Sequence, residues 1–338
     1  MPDEIDLQLA NLLQIDPRMP WVQAGEILGI SATTAATRWK RLTENGLAWI
    51  VVYPNLVTHF TALVEIDCQT ETLPGVIQEL CRNRFIVSVD ESTGRRDILV
   101  WVITPDMATM SSVIIDWIGS LDGVYGARTS LVTEVVSGVD AWRVNALTPR
   151  QISQANANRV PCQPPGRTDA ADVALAEALA LDGRASGPAL AEQLGEPVST
   201  TRRRLARLRA TRQIIMHCDL APELSGQFLE CTWLATIAPS NKQRVRQVIQ
   251  ADQSIRHCLY TTGTSNFRFT FGVSNPGNVA GFESRIVHSL PELAPEETLF
   301  CMRHHKSLGR LIGADGRATT DIVVPVFDLH QPGPADLV

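Results

Sequence analysis

The 338-residue sequence predicts an α+β fold: two copies of one unit, each a winged helix-turn-helix followed by a ferredoxin-like βαββαβ domain. Three observations lead there. The chain repeats itself: displaced by 166 residues, Asp3 falls on Asp169, Asp6 on Asp172, Leu9 on Leu175 and Leu28-Gly29 on Leu194-Gly195. Arg38 then meets Arg204 and Arg41 meets Arg207, with no gap from residue 3 to about residue 50. Each repeat opens with helical periodicity broken by a glycine turn, and each closes with short apolar runs in the order strand, helix, strand, strand, helix, strand. The expected domains are a helix-turn-helix at 1–56, a ferredoxin-like sheet domain at 57–144 and a linker at 145–167. A second helix-turn-helix at 168–222, a second sheet domain at 223–310 and an extension at 311–338 follow.

Ile5, Leu9, Leu12 and Leu13 have the spacing of a helix with one buried face, and Ala171, Leu175, Ala178 and Leu179 match them. A short second helix carries Ala24, Ile27 and Leu28, or Leu190 and Leu194. Glycine follows where the backbone reverses, in "LGIS" and "LGEP". The third helix starts from Ser31, an N-cap residue, and buries Ala35, Trp39 and Leu42. Its counterpart buries Thr201, Leu205 and Leu208, and Pro197 there suits a first-turn position. "GLAWIVVYP" and "RQIIMHC" read as wings.

The stretch "STTRRRLARLR" (199–209) concentrates five arginines in a chain of formal net charge −6. At about 100° per residue, Leu205 and Leu208 point to one side, and Ser199, Thr200, Arg203 and Arg207 to the other, flanked by Arg202, Arg204 and Arg209. Small hydroxyl groups near a helix start, with arginines beside them, suit groove entry and phosphate contact. The first copy presents Thr33, Thr34, Thr37 and Arg41, with Arg38 and Lys40 beside them. An isolated arginine-rich run is more often a solvated face. The turn and the second occurrence at constant offset favour contact with double-stranded DNA. Residues 168–222 hold seven Lys/Arg against seven Asp/Glu, whereas residues 1–56 hold four against six. The second unit is therefore expected to carry most of the affinity.

In the sheet domains, "FTALVEIDC", "FIVSVDEST", "DILVWVI" and "VYGARTSLVTEVV" are strand-like, with helical faces at Leu73, Val76, Ile77 and Leu80 and at Met107, Met110 and Ile114. Copy two repeats the order through "FLECTWLATI", "SIRHCLYTT", "FRFTFGV" and "ETLFCMRH". Helices on one face leave the other sheet face bare, and the two copies are each other's natural cover.

Composition narrows the class further. With 44% hydrophobic and 20% charged residues this is an ordinary globular chain, with no apolar leader at Met1 and no membrane-length apolar run. The seven cysteines are scattered without a C-x-x-C, so neither a disulfide framework nor a metal site is expected, and the chain reads as cytoplasmic. P-loop, G-x-S-x-G, H-E-x-x-H and dinucleotide fingerprints are missing, so no catalytic residue and no cofactor is expected.

The stretches "DEIDLQLANLLQIDPR", "AGEILGIS", "TRWKRLTENGLA" and the sheet turn "TGRRD" resemble the Lrp/AsnC family of feast/famine transcription regulators. The resemblance covers both copies. It implies a non-enzymatic, homo-oligomeric regulator that binds double-stranded DNA and a small-molecule effector, an amino acid or other metabolite, held between regulatory domains. The family's glycine-x-x-aspartate loop carries over to Gly94, Arg95 and Asp97, and in copy two to Gly263, with Asn266 in place of the aspartate. The plain alternative for Gly94 is a hairpin turn. Sirohaem decarboxylases resemble the same two-part architecture, and that alternative would draw on His217, His257, His304 and His305. These histidines are not matched between the copies, and a decarboxylase has no need of an arginine-rich third helix.

Overall fold

Each helix-turn-helix starts on an aspartate. In α1 (Glu4–Ile15) the Asp3 carboxylate accepts the Asp6 N–H while Asp6 accepts the Asp3 N–H, a reciprocal capping box. Asp169 and Asp172 repeat it at α7 (Ala170–Leu181). The computed structural model describes residues 2–157, 162–164, 166–252, 254–291, 293 and 295–328. Helix α2 (Trp21–Leu28) ends on Gly29 at φ 70° and α8 (Gly187–Leu194) on Gly195 at φ 64°, left-handed positions that glycine adopts without strain. The third helices are α3 (Ala32–Glu44), capped by Ser31 on Thr34 N–H, and α9 (Val198–Ala210). Pro197 occupies the cap position of α9, one place before the first turn where it was expected, and makes no side-chain cap.

The wings, β1 (Ala48–Pro54) and β6 (Ile214–Leu220), do not project as separate hairpins. They pair antiparallel with each other, Ala48 opposite Leu220 through Pro54 opposite Ile214. Every residue of β1 is buried, and one apolar core runs through both helix-turn-helix units. The junction is reciprocal: Arg18 donates to the Gly183 and Ala185 carbonyls, and Arg184 to those of Pro17 and Met19. The duplication thus folds as an intrachain pseudo-twofold.

The first sheet domain comprises β2 (Phe60–Cys68), α4 (Leu73–Arg82), β3 (Ile86–Ser92), β4 (Ile98–Thr104), α5 (Met107–Ser111, prolonged by a wider turn to Trp117) and β5 (Val124–Ser137). Between the copies, Thr148 and Gln151 form a capping box on α6 (Pro149–Asn156), which buries Ala155 against the first helix-turn-helix core. Part of the expected linker is therefore an ordered helix, for which T-P-x-Q was the available signal; residues 158–161 and 165 lie outside the described part. After β6 come the short α10 (Pro222–Ser225), β7 (Leu229–Ala235), α11 (Lys242–Ala251), β8 (Ile255–Thr261), β9 (Phe267–Val273), α12 (Val279–Ser289) and β10 (Pro295–Ser307).

The two sheets join edge to edge at two seams, β5 with β8 and β3 with β10, and β10 also pairs with β7. Eight strands therefore close into a ring with helices outside, which removes the exposed edges. Alternation along each strand sends Ala62, Val64 and Ile66 outward beneath helices and Leu63 and Glu65 into the shared interior. The extension adds β11 (Arg310–Ile312) and β12 (Ala318–Ile322) beyond β10, and Ala318 N–H donates to the Gly46 carbonyl at the end of α3. Residues 329–338 of that extension lie outside the described part.

Candidate functional site

Two surfaces hold the sequence-derived candidates. On α3 and α9 the structure separates the arginines by task. Arg38 binds Asp3 and the fully buried Asp6, both at 2.8 Å, and Arg41 reaches Asp6 at 2.5 Å. Arg204 does the same with Asp169 and Asp172, and Arg207 reaches Asp172 at 2.6 Å. Hydrogen bonds that Arg204 donates to Asp169, joined by one to Asp172, hold its guanidinium charged well above its ordinary range. Arg38, Arg41, Arg204 and Arg207, expected as DNA contacts, also join the third helix to the first, with their charge met by carboxylates. Arg209 crosses to Asp16 of the other unit.

Among the described residues, Arg202 and Arg203 are exposed and have no ion-pair or hydrogen-bond partner. Ser199 is exposed beside them and Thr200 is half-buried. On α3, Thr33, Thr34 and Thr37 are exposed, with the Thr34 hydroxyl 2.8 Å from that of Ser31. The free cations of the two recognition faces thus sit on α9.

The sheet turns hold the second set. Gly94 (φ 95°) and Gly263 (φ 118°) are both left-handed turn positions. Asp97 accepts the Cys68 N–H at 2.8 Å; Asn266 accepts the Ile237 N–H at 2.8 Å and also donates to the Ile237 carbonyl. The replacement of aspartate by asparagine therefore conserves a turn-fixing bond. The neighbouring threonines, not foreseen, make the seams: Thr93 N–H and Oγ1 bracket Phe300 of the other copy, and Thr262 brackets Leu131 in the same way. Arg95 is exposed at the turn. Gly94, Arg95, Asp97, Gly263 and Asn266 do not line the cavity between the wings and the barrel.

That cavity, about 480 Å³, lies where the paired wings meet the mouth of the barrel, with the extension's turn at 313–316 along its rim. Trp49, Tyr53, Trp101 and Trp142 supply flat apolar walls. Three of the four candidate histidines line it: His217 from β6, His257 from β8 and His304 from β10. His305 points away, to Glu91 at 2.6 Å. His257 donates to or accepts from Thr270 at 2.8 Å and meets the Trp101 ring edge-on. Arg256 lies 4.1 Å from the Trp142 ring centroid and close to Glu230 and Asp219. Lys306 turns its ammonium out of the cavity, onto the Cys81 and Asn83 carbonyls, and burial lowers its pKa to about 8. Asp90, Asp219, Glu223, Glu230 and Asp315 consequently outnumber the cations on the wall.

At the β3–β10 seam, His304 Nδ1 is 2.7 Å from Asp90 Oδ1 and 3.4 Å from Cys301 Sγ. These three atoms lie within 4.8 Å of one another, an arrangement that the scattered cysteines did not announce. Burial pushes the Cys301 thiol up to about 11. Burial would lower the His304 pKa, but Cys301 and Asp90 raise it well above the ordinary range.

Burial holds His257 down at about 4, against an opposing pull from Glu230, and drives His217 well below its ordinary value. Both unfold to about 6.5. At these two residues the unfolded chain binds more protons between about pH 4 and 6.5, so their contribution to stability falls as pH falls through that window. His257→Gln, which keeps a partner for Thr270, is expected to flatten the decline of melting temperature between pH 6.5 and 4.5. Parallel curves for variant and wild type would refute this.

Two helix-turn-helix units carried on one closed barrel are the parts of a DNA-binding protein with a ligand-binding domain. Residues 3–43 match the AsnC-type helix-turn-helix domain and residues 61–138 the Lrp/AsnC ligand binding domain. HTH-type transcriptional regulator FL11 of Pyrococcus furiosus is 30% identical over 137 residues, 39% of this chain and 90% of that protein. HTH-type transcriptional regulator LrpA of Pyrococcus abyssi is 28% identical over 138 residues, 40% of this chain and 98% of that protein. The chain belongs to the Lrp/AsnC family of transcriptional regulators. Each relative spans about 40% of it; the family models match the first copy, and the second copy repeats its order of elements. Over its whole length the fold is similar to that of the sirohaem decarboxylase NirDL, at 12% identity and TM-score 0.57, covering 90% of this chain and 93% of that one. No helix among the described residues is long and apolar enough to cross a membrane.

Proposed function

We propose that this regulator reads DNA chiefly through α9, with Arg202 and Arg203, Ser199 and Thr200 at the groove and Thr33, Thr34 and Thr37 of α3 at a second, weaker site. An effector in the wing–barrel cavity controls it. The observation that carries this reading is the shared wall: one ligand touches Trp49 and His217 on the wing sheet and Trp101 and His257 in the barrel. Any ligand that prefers one wing position shifts the spacing of α3 and α9, and DNA half-sites are spaced by whole helical turns. Aromatic walls with excess carboxylate select a ligand with a flat apolar part and an ammonium group, an amino acid or related amine. The turn residues Gly94, Arg95, Asp97, Gly263 and Asn266 serve in this reading by fixing the seams. Because the ring already joins two regulatory domains within one chain, whole chains associate through outer surfaces, where Ile115 and Tyr125 stand exposed. In this reading the protein works in the cytoplasm, beside the DNA.

The likeness to NirDL, whose solved complex contains an iron-uroporphyrin III analogue, together with three cavity histidines, supports a second reading as a tetrapyrrole decarboxylase. The carboxylate excess on the wall opposes it, because such a ligand is itself a polycarboxylate. The purified chain is tested for retention of genomic fragments at two salt concentrations, with and without a panel of amino acids and aromatic amines, and separately for an absorbance shift of iron uroporphyrin. Salt-sensitive retention altered by an amine-bearing ligand is expected. Tight porphyrin binding with carbon dioxide release, and no fragment retained, would overturn the regulator reading at this cavity.

A further inference from the structure

We propose that Asp90, Cys301 and His304 form a binding site for one divalent transition-metal ion of the borderline class, such as Zn²⁺, on the wall of the cavity. The first argument is convergence. A Cys-His-Asp relay for nucleophilic chemistry uses the two imidazole nitrogens separately, one toward the nucleophile and the other toward the carboxylate. Here a single nitrogen, Nδ1, faces both Sγ at 3.4 Å and Oδ1 at 2.7 Å. Three potential ligand atoms therefore point at one common volume.

The second argument is spacing. Tetrahedral zinc with bonds of about 2.0–2.3 Å separates sulfur from nitrogen by roughly 3.5 Å and nitrogen from oxygen by roughly 3.4 Å. The sulfur–nitrogen distance already fits. The His304–Asp90 distance must open by roughly 0.7 Å relative to that ideal, a small side-chain torsion for half-buried groups.

The third argument is that the backbone is shaped for it. In a regular strand, residues 301 and 304 point to opposite faces. Strand β10 has one register shift between Cys301 and Arg303 and another between His304 and Lys306. The first bulge brings Cys301 and His304 to the same face, opposite Asp90 of β3, and bulges of this kind recur beside functional sites. Asp90, Cys301 and His304 also line the cavity, so the remaining coordination position faces its interior. Thiolate, imidazole and carboxylate together suit Zn²⁺, Fe²⁺ or Co²⁺ and disfavour Mg²⁺ and Ca²⁺. The site joins the two copies across a seam, so occupancy also ties β3 to β10.

The test is titration of the full-length chain with Co²⁺, in a Cys162→Ser background that removes the exposed thiol. A thiolate-to-cobalt charge-transfer band saturating at one ion per chain and displaced by Zn²⁺ is expected. Cys301→Ser should abolish the band, and Asp90→Asn and His304→Gln should each weaken binding by roughly tenfold or more. Lack of the band, or an unchanged band in Cys301→Ser, would overturn the site. Should circular dichroism show Cys301→Ser unfolded, Asp90→Asn decides: unchanged cobalt affinity in that folded variant overturns it equally. The readout is the metal itself, so the result stands apart from DNA binding: a chain that binds DNA but no cobalt loses only this proposal.

Discussion

Glu65→Ala is expected to destabilise the barrel by about 3–5 kcal/mol, the cost of stripping a buried carboxylate from the cations it serves. Glu65 sits on β2 facing the barrel interior, with Arg96 Nε at 2.9 Å and Arg268 Nη2, from the other copy, at 2.6 Å. All three side chains are less than a tenth exposed. Arg96 has a second partner, Glu297 at 3.0 Å, but the only other contact of Arg268 among the described residues is the Ser130 hydroxyl at 3.2 Å. Removing Glu65 leaves Arg268 as a buried, uncompensated charge across the seam between the copies. A loss of this size is a large part of the roughly 5–15 kcal/mol that holds a typical domain together. Arg268→Met alone should cost less, since Glu65 keeps Arg96. The double variant Glu65→Leu/Arg268→Met should recover part of the loss, because an apolar pair needs no desolvation of charge. Chemical denaturation of the four proteins checks this, and a midpoint for Glu65→Ala within 1 kcal/mol of wild type, on the scale of an exposed pair, would sink it.

The contrast between Glu65 and Asp6 shows what a linear sequence exposes. Asp6, Arg38 and Arg41 recur as Asp172, Arg204 and Arg207 at one constant offset. A carboxylate and two arginines repeated together, with the aspartate on the buried face of α1, already carried the sign of a helix-to-helix clamp. A capping aspartate with zero exposure needs cations, which gives these arginines a structural task that the groove reading did not include. "AWIVVYP" likewise lacks the alternation of a half-exposed wing, and an unbroken apolar run signals a strand covered on both faces. The partner, β6, was the equivalent segment of the second copy. The βαββαβ order was legible because period-2 and period-3.6 patterns alternate in both copies. Glu65 with Arg268 was not, since the repeat places leucines at the matching positions, Leu234 and Leu99, and breaks the symmetry. Nor was the Asp90, Cys301 and His304 cluster. It spans 214 positions at its His304–Asp90 contact and exists only because β10 bulges, a feature without a local sequence code here.

Arg202→Ala/Arg203→Ala is expected to weaken operator binding by roughly a hundredfold or more while leaving stability nearly unchanged. Each arginine that meets a base or phosphate contributes about 1–3 kcal/mol, and removal of two phosphate contacts lowers the salt slope of log K by about two. Both side chains are exposed and unpaired among the described residues, so their loss breaks nothing inside the fold. Arg204→Ala is the internal control. Its guanidinium joins Asp169, Asp172 and Glu196, so the variant should unfold earlier yet keep the wild-type salt slope in the cold, where the helix is still docked. Thr37→Ala on α3 should cost less than either arginine, since a hydroxyl forfeits only a neutral hydrogen bond. A reversed pattern, with Arg204→Ala reducing the salt slope and Arg202→Ala/Arg203→Ala only the melting temperature, would assign the groove to the clamp residues instead. Equal losses from Thr37→Ala and the double arginine variant would show that the two recognition helices share the operator evenly. The asymmetry follows from geometry: both copies keep the clamp arginines, and α9 alone adds free cations beyond it.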